Sequence, residues 1–316
     1  MTTRAWRILG LVSLAAPVLV GQQGRVAGPV AGYVFDRSAR AVRPILGIPG
    51  AWLMGDPLDF GMDVASAYVS PRQDLAVVVG ADGSLRWFRL NSRAASGLTS
   101  NGITLVPERV AFSPSGTAAA LAAGGRMQVV TGLPDAPAPA GTVDGGRAPG
   151  SFAISDDGAL LLFAARGSIR VAGTAGEGRK LMDAGDGALV AFAPGGHDAA
   201  VADPGGAGVV LFRDVAGAAT QSVLAPPDDR MAAPVGLAFS PDGHKLYVAS
   251  SAARSVTVLD PATGERSAIA CDCAPAGLVP MGNLLRLTEL GAGPLWLLDA
   301  GGRDPRMVFV PAAAVQ

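Results

Sequence analysis

The stretch GLAFSPDGHKLYVASSAARSVTVLDPATGERSAIA, Gly236 to Ala270, decides how the whole chain is read. It holds four short apolar runs, GLAF, KLYVAS, SVTVLD and RSAIA, separated by the turn sequences SPDG, SAAR and PATGE. β-Branched and apolar residues fill the runs because they suit a pleated surface buried on both sides. Pro, Asp and Gly fill the gaps because each sets or tolerates a turn dihedral. A helical unit of the same length would space its apolar residues by three and four, and would not accept SPDG and PATG inside it.

The layout recurs. It appears from Ser66 (SAYVSPRQDLAVVVGADGSLRWFRL), Arg109 (RVAFSPSGTAAALAAGGRMQVV), Ser151 (SFAISDDGALLLFAARGSIRVAG), Leu189 (LVAFAPGGHDAAVADPGGAGVVLFRD) and Gly277 (GLVPMGNLLRLTELGAGPLWLLD). The first turns, marked by Pro71, Pro114, Asp156, Pro194, Pro241 and Met281, fall about 42 residues apart. Four short antiparallel strands at about that period make one blade of a β-propeller. The expected class is therefore all-β, a ring of four-stranded blades forming a single domain over 25–316.

Six full units lie between residues 67 and 311, and GYVFDRSARAVRPI, from Gly32, resembles the back half of another. Tyr33 to Asp36 aligns with the third strands Thr257 to Asp260 and Trp296 to Asp299. The count comes to seven blades, the first completed by residues 46–66 or by strand exchange; the alternative is six blades plus an N-terminal hairpin. AFSPDGHKLYVAS followed by VTVLDPATGE resembles the repeat of YVTN-type and WD40-like bacterial propellers, without the Trp-Asp pair of true WD40 repeats.

The N-terminus reads as a secretory signal peptide over residues 1–22. Arg4 and Arg7 precede an uncharged apolar run from Ile8 to Val20, and the chain turns polar at Gln22 and Gln23. That run is shorter than the ~20 residues a membrane span needs. Export to the periplasm or beyond is expected, with no membrane span once the signal is removed. A net charge of −1 leaves no basic field to draw in nucleic acid.

Catalytic equipment is thin. His197 and His244 occupy the same turn position in adjacent units, which places them too far apart to share a metal ion. No motif for a nucleophile elbow, a zinc helix or a phosphate loop is present in its context. Asp36, Asp214, Asp260 and Asp299 end strands, where Asp hydrogen-bonds the following turn. Cys271 and Cys273 are the only cysteines; they are expected to form a small local disulfide, and are the candidate soft-metal or redox pair. Trp87 and Trp296 fit core positions between blades. Trp52, with Asp56 and Asp59, lies in the segment GIPGAWLMGDPLDFGMD, which breaks the repeat; it is read either as an interaction surface or as the ring closure. The reading is an exported, non-catalytic binding protein for another protein or a cell-surface component, with no cofactor. The alternatives are a metal-dependent, lactonase-like hydrolase using the central channel, and a cysteine-based redox or copper-handling protein.

Overall fold

A computed structural model describes residues 28–312 except 93, 146–148, 175, 177, 186 and 303. The segment read as a signal peptide lies outside the described residues. The described chain forms seven antiparallel sheets of sequentially neighbouring strands, six with four strands and the first with three. Blades II to VII begin at Val64, Arg109, Phe152, Leu189, Pro234 and Val279. In blade VI the strands are Pro234–Phe239, Leu246–Ser250, Ser255–Leu259 and Arg266–Ala270, the four runs of the defining repeat.

Middle strands such as Leu75–Gly80, Ala199–Asp203 and Leu246–Ser250 are buried along their whole length. Each blade is covered on both faces by its neighbours, so its strands need no polar side. Seven apolar clusters follow, each joining the facing sides of two successive blades. One of them, containing Val34, Ile45, Trp52, Met281, Leu284, Leu297 and Val310, joins blade I to blade VII and closes the ring. The seven-blade count holds over six plus a hairpin.

Blade I departs from the expected pattern. Its strands are Val30–Asp36, Ala41–Leu46 and Leu53–Met54. Its outer strand is carried further by Gly55 N–H to Pro44 O and Leu58 N–H to Val42 O, both at 2.8 Å. The outer strand of the blade is thus supplied by the residues that follow it, and among the described residues the last blade contains no N-terminal strand. Strand direction fixes the places these strands fill. The start of Val30–Asp36 lies beside the first turn of blade II, where Gln73 Oε1 accepts the Tyr33 N–H at 2.6 Å. Its far end lies beside the second loop of blade VII, where Arg37 meets Glu289 at 3.8 Å. Val30–Asp36 therefore runs as a second strand rather than the third that alignment assigned. The alignment rested on Asp36, whose Oδ1 accepts the Ser38 and Ala39 N–H groups. That turn can follow any strand, so it does not identify one.

No described residue fills the innermost place of blade I. The inner turns of blades II and VII meet there directly, Gly282 N–H donating to Pro71 O at 2.6 Å. Tyr33 pairs in register with Pro44, whose backbone faces the outer strand, its carbonyl accepting the Gly55 N–H, so the pair exchanges no hydrogen bond. The Tyr33 amide accordingly turns to the open edge, and the Gln73 side chain takes the part of the missing strand.

Candidate functional site

Two surfaces collect the side chains with chemistry: the face carrying the first turns of the blades, and the irregular segment of blade I. On the turn face the carboxylate of Asp156 ties three blades together. Its Oδ1 accepts the Ser115 N–H (2.7 Å) and Oγ–H (2.6 Å) from blade III, and its Oδ2 accepts the Gly195 N–H (2.8 Å) from blade V. Asp156 stands where Pro71, Pro114, Pro194 and Pro241 stand in the other turns, and that replacement was its only signal in the sequence.

Beside it, Ser155, Asp157 and His197 form a chain. Ser155 Oγ donates to Asp157 Oδ1 at 2.6 Å, and Asp157 Oδ2 meets His197 Nε2 at 2.9 Å. Burial opposes ionisation of Asp157, but hydrogen bonds from Ser155, Ala159 and His197 outweigh it and hold the carboxyl below its usual range. Nucleophilic catalysis needs the imidazole next to the hydroxyl, with the carboxylate behind it. Here the carboxylate stands between them. Ser155 is fully buried and also accepts the Leu160 N–H. The chain secures a turn and is not built to attack a substrate. His244, one blade on, is exposed, and its backbone N–H donates to Asp242.

The strand-ending aspartates do what their positions imply. Asp260 Oδ1 accepts the Ala262 and Thr263 N–H groups, Asp214 accepts that of Gly217, and Asp299 accepts that of Gly301. Among the described residues no group of three His, Cys, Asp or Glu side chains is placed to hold one metal ion. No helix among them is long and apolar enough to cross a membrane.

Cys271 and Cys273 are joined by a disulfide in the connection between blades VI and VII, and both are buried in the apolar cluster of that seam. Trp87 is fully buried between blades II and III; Trp296 packs on Phe309 at 5.2 Å. Trp52 takes the ring-closure role of the two expected for it, with 3% of its surface exposed. Asp56 and Asp59 reach solvent instead. Beside them the same segment leaves Ile48 61% and Leu53 52% exposed, which the sequence did not single out because apolar residues fill the buried strands equally well. A cleft of about 590 Å³ opens near the ring closure on the turn face, lined by Tyr33, Arg72, Gln73, Asn91, Ser92 and Asn283 among others.

The architecture defines the chain as a seven-bladed β-propeller. No family model matches it, and no curated protein matches it. Among solved structures it is similar to hydrazine synthase from Kuenenia stuttgartiensis, with a TM-score of 0.52 and 14% identity over 95% of this chain and 100% of that one. It is also similar to a functionally unknown protein from Desulfotomaculum acetoxidans, with a TM-score of 0.56 and 14% identity over 89% of this chain and 100% of that one. At such identity the likeness is one of fold, and folds of this kind host many functions.

Proposed function

We propose that this propeller is an exported, non-catalytic binding protein that engages another protein or a cell-surface component through the irregular outer segment of blade I. One observation carries the reading: the segment that breaks the repeat is also where two large apolar side chains, Ile48 and Leu53, stand in solvent beside exposed Asp56 and Asp59. Non-repeating insertions on a rigid ring are where repeat proteins place specific contacts. An apolar centre with a polar rim is the usual make-up of such a contact. Export is supported by the order of Arg4, Arg7, the apolar run Ile8 to Val20 and the polar Gln22 and Gln23. The repeat's resemblance to YVTN-type propellers fits the same reading.

The test is affinity capture from periplasm and culture medium with the wild-type protein and an Ile48→Asp, Leu53→Asp variant. Partners captured by the wild type and lost by the variant, with cross-links mapping to residues 47–61, are expected. Equal capture by both, or cross-links confined to the turn face, overturns the docking surface. N-terminal sequencing of the exported protein is expected to begin near residue 23; a cytoplasmic protein starting at Met1 overturns export.

A further inference from the structure

We propose that the Cys271–Cys273 disulfide is a reversible redox site, cycled by a dithiol reductant, that sets how blade VI docks on blade VII. The inference stands apart from the docking reading, because it concerns a different seam and its readout needs no partner.

The connection from Cys271 to Leu278 crosses the seam from the outer strand of blade VI to the inner strand of blade VII. It is held at both ends. The Cys271 N–H donates to Arg254 O at 2.8 Å, and the Ala276 N–H donates to Leu287 O at 2.7 Å. Its residues alternate: Asp272, Ala274 and Ala276 face solvent, while Cys271, Cys273 and Pro275 face inward. The two cysteines share a cluster with Val256, Leu278, Leu285 and Leu298. Leu278 packs against the backbone of Gly236 so closely that a Cβ there would collide with it. A change of shape at residues 271–273 is therefore passed to the innermost strand of blade VI as well as to blade VII.

The bond shortens its segment. Two residues of extended chain span about 6.6 Å, whereas the Cα atoms of Cys271 and Cys273 are 5.0 Å apart. Reduction removes that pucker. It also replaces a covalent contact of about 2 Å by two thiols that need roughly 3.5–4 Å between them. A close-packed seam does not absorb such a change in place. The connection lengthens and the seam must adjust.

The spacing favours a switch over a staple. A disulfide stabilises mainly by closing a loop, and this one spans a single intervening residue, so its constraint on the unfolded chain is small. With one residue between them the reduced thiols stay adjacent, and reoxidation needs no refolding. Both cysteines are buried, so the attack goes through local opening of the connection at its exposed residues Asp272 and Ala274. A thiolate of the reductant attacks one sulfur, forming a mixed disulfide and expelling the other cysteine as a thiolate. The second thiol of the reductant then resolves the mixed disulfide. Two electrons and two protons reach the protein, and the reductant leaves as its own disulfide.

The experiment treats the intact native protein with dithiothreitol, quenches in acid, removes the reductant, alkylates with iodoacetamide at alkaline pH in denaturant and counts modified cysteines by mass spectrometry. Hydrogen exchange is followed in the oxidised, reduced and reoxidised forms. Two alkylated cysteines under native conditions are expected, with loss of amide protection confined to residues 271–281 and the facing strand Pro234–Phe239, restored on reoxidation. A Cys271→Ser, Cys273→Ser variant is expected to show the reduced pattern whether or not reductant is present. A disulfide that yields only after unfolding in urea overturns the proposal. So does reduction that leaves exchange at the seam unchanged. Should the variant fail to fold, the wild-type comparison decides alone.

Discussion

Tyr247 shows how a single side chain is bound by its place in a blade. It is fully buried, its hydroxyl has no hydrogen-bond partner among the described residues, and desolvation pushes its pKa up to about 12. A buried polar group left unmatched is destabilising, and removing it restores the balance. Tyr247→Phe is expected to stabilise the protein by up to about 1 kcal/mol, read as a higher urea midpoint at unchanged slope; a lower midpoint would mean that the hydroxyl has a partner. The acidic residues act in the opposite direction. Asp242 is held below the usual range by Ser240 and the His244 N–H, Asp260 by the Thr263 and Ala262 N–H groups, and Asp157 by the hydrogen bonds that outweigh its burial. In the unfolded chain these groups bind protons near pH 3.9, while in the fold they do so lower. Between those values the unfolded state holds more protons, so stability rises with pH there. The urea midpoint is expected to hold steady above about pH 5 and to fall as pH drops through 4 towards 3. Asp157→Asn should make that fall shallower; an identical profile would remove Asp157 from the account.

At the scale of the strand and turn, the sequence was legible wherever local chemistry repeats. The runs and gaps of Gly236 to Ala270 became four strands, because Pro, Gly and Asp dictate turns by their own dihedrals and hydrogen bonds. Blade I was legible as strands but not as places in a sheet. Asp36 makes the same turn in any hairpin, and nothing local states that the inner position beside Val30–Asp36 has no described strand. Asp156 was missed for a related reason: its partners, Ser115 and Gly195, lie about 40 residues away on either side. The docking segment was found by its irregularity, but which of its residues face outward is a tertiary property. Gln73 gives the sharpest test at this scale. It substitutes a side chain for a strand, so Gln73→Ala leaves the Tyr33 N–H to water in the cleft, at a cost of about 0.5–1.5 kcal/mol. Faster hydrogen exchange at the Tyr33 amide is expected, while amides in the other blades keep their protection; an unchanged Tyr33 amide would show that the edge does not depend on Gln73.

Over the whole ring, closure is the feature that distinguishes one seam from the other six. Among the described residues no strand is shared between the first and last blades, and the join there rests on side-chain packing around Trp52 and on the Gly282 to Pro71 contact between inner turns. Each of the other seams is crossed by a covalent connection between successive blades; among the described residues this one is not. Truncating a large buried side chain costs about 3–5 kcal/mol for Trp→Ala and about 2–5 kcal/mol for Leu→Ala, so Trp52→Ala and Leu121→Ala should lower the unfolding midpoint by comparable amounts. Leu121 packs between blades II and III. Their modes of failure should differ. With Leu121→Ala the chain still holds the weakened seam together, and unfolding is expected to stay a single cooperative step with an unchanged slope. With Trp52→Ala the ring can part at a seam that no described connection crosses, so exchange protection in blades I and VII should be lost before that of blades III to V, and the denaturant slope should fall as the transition broadens. Uniform loss of protection in both variants would mean that the closing seam is as cooperative as the rest, and that the contact between inner turns carries more of the closure than the packing around Trp52 does.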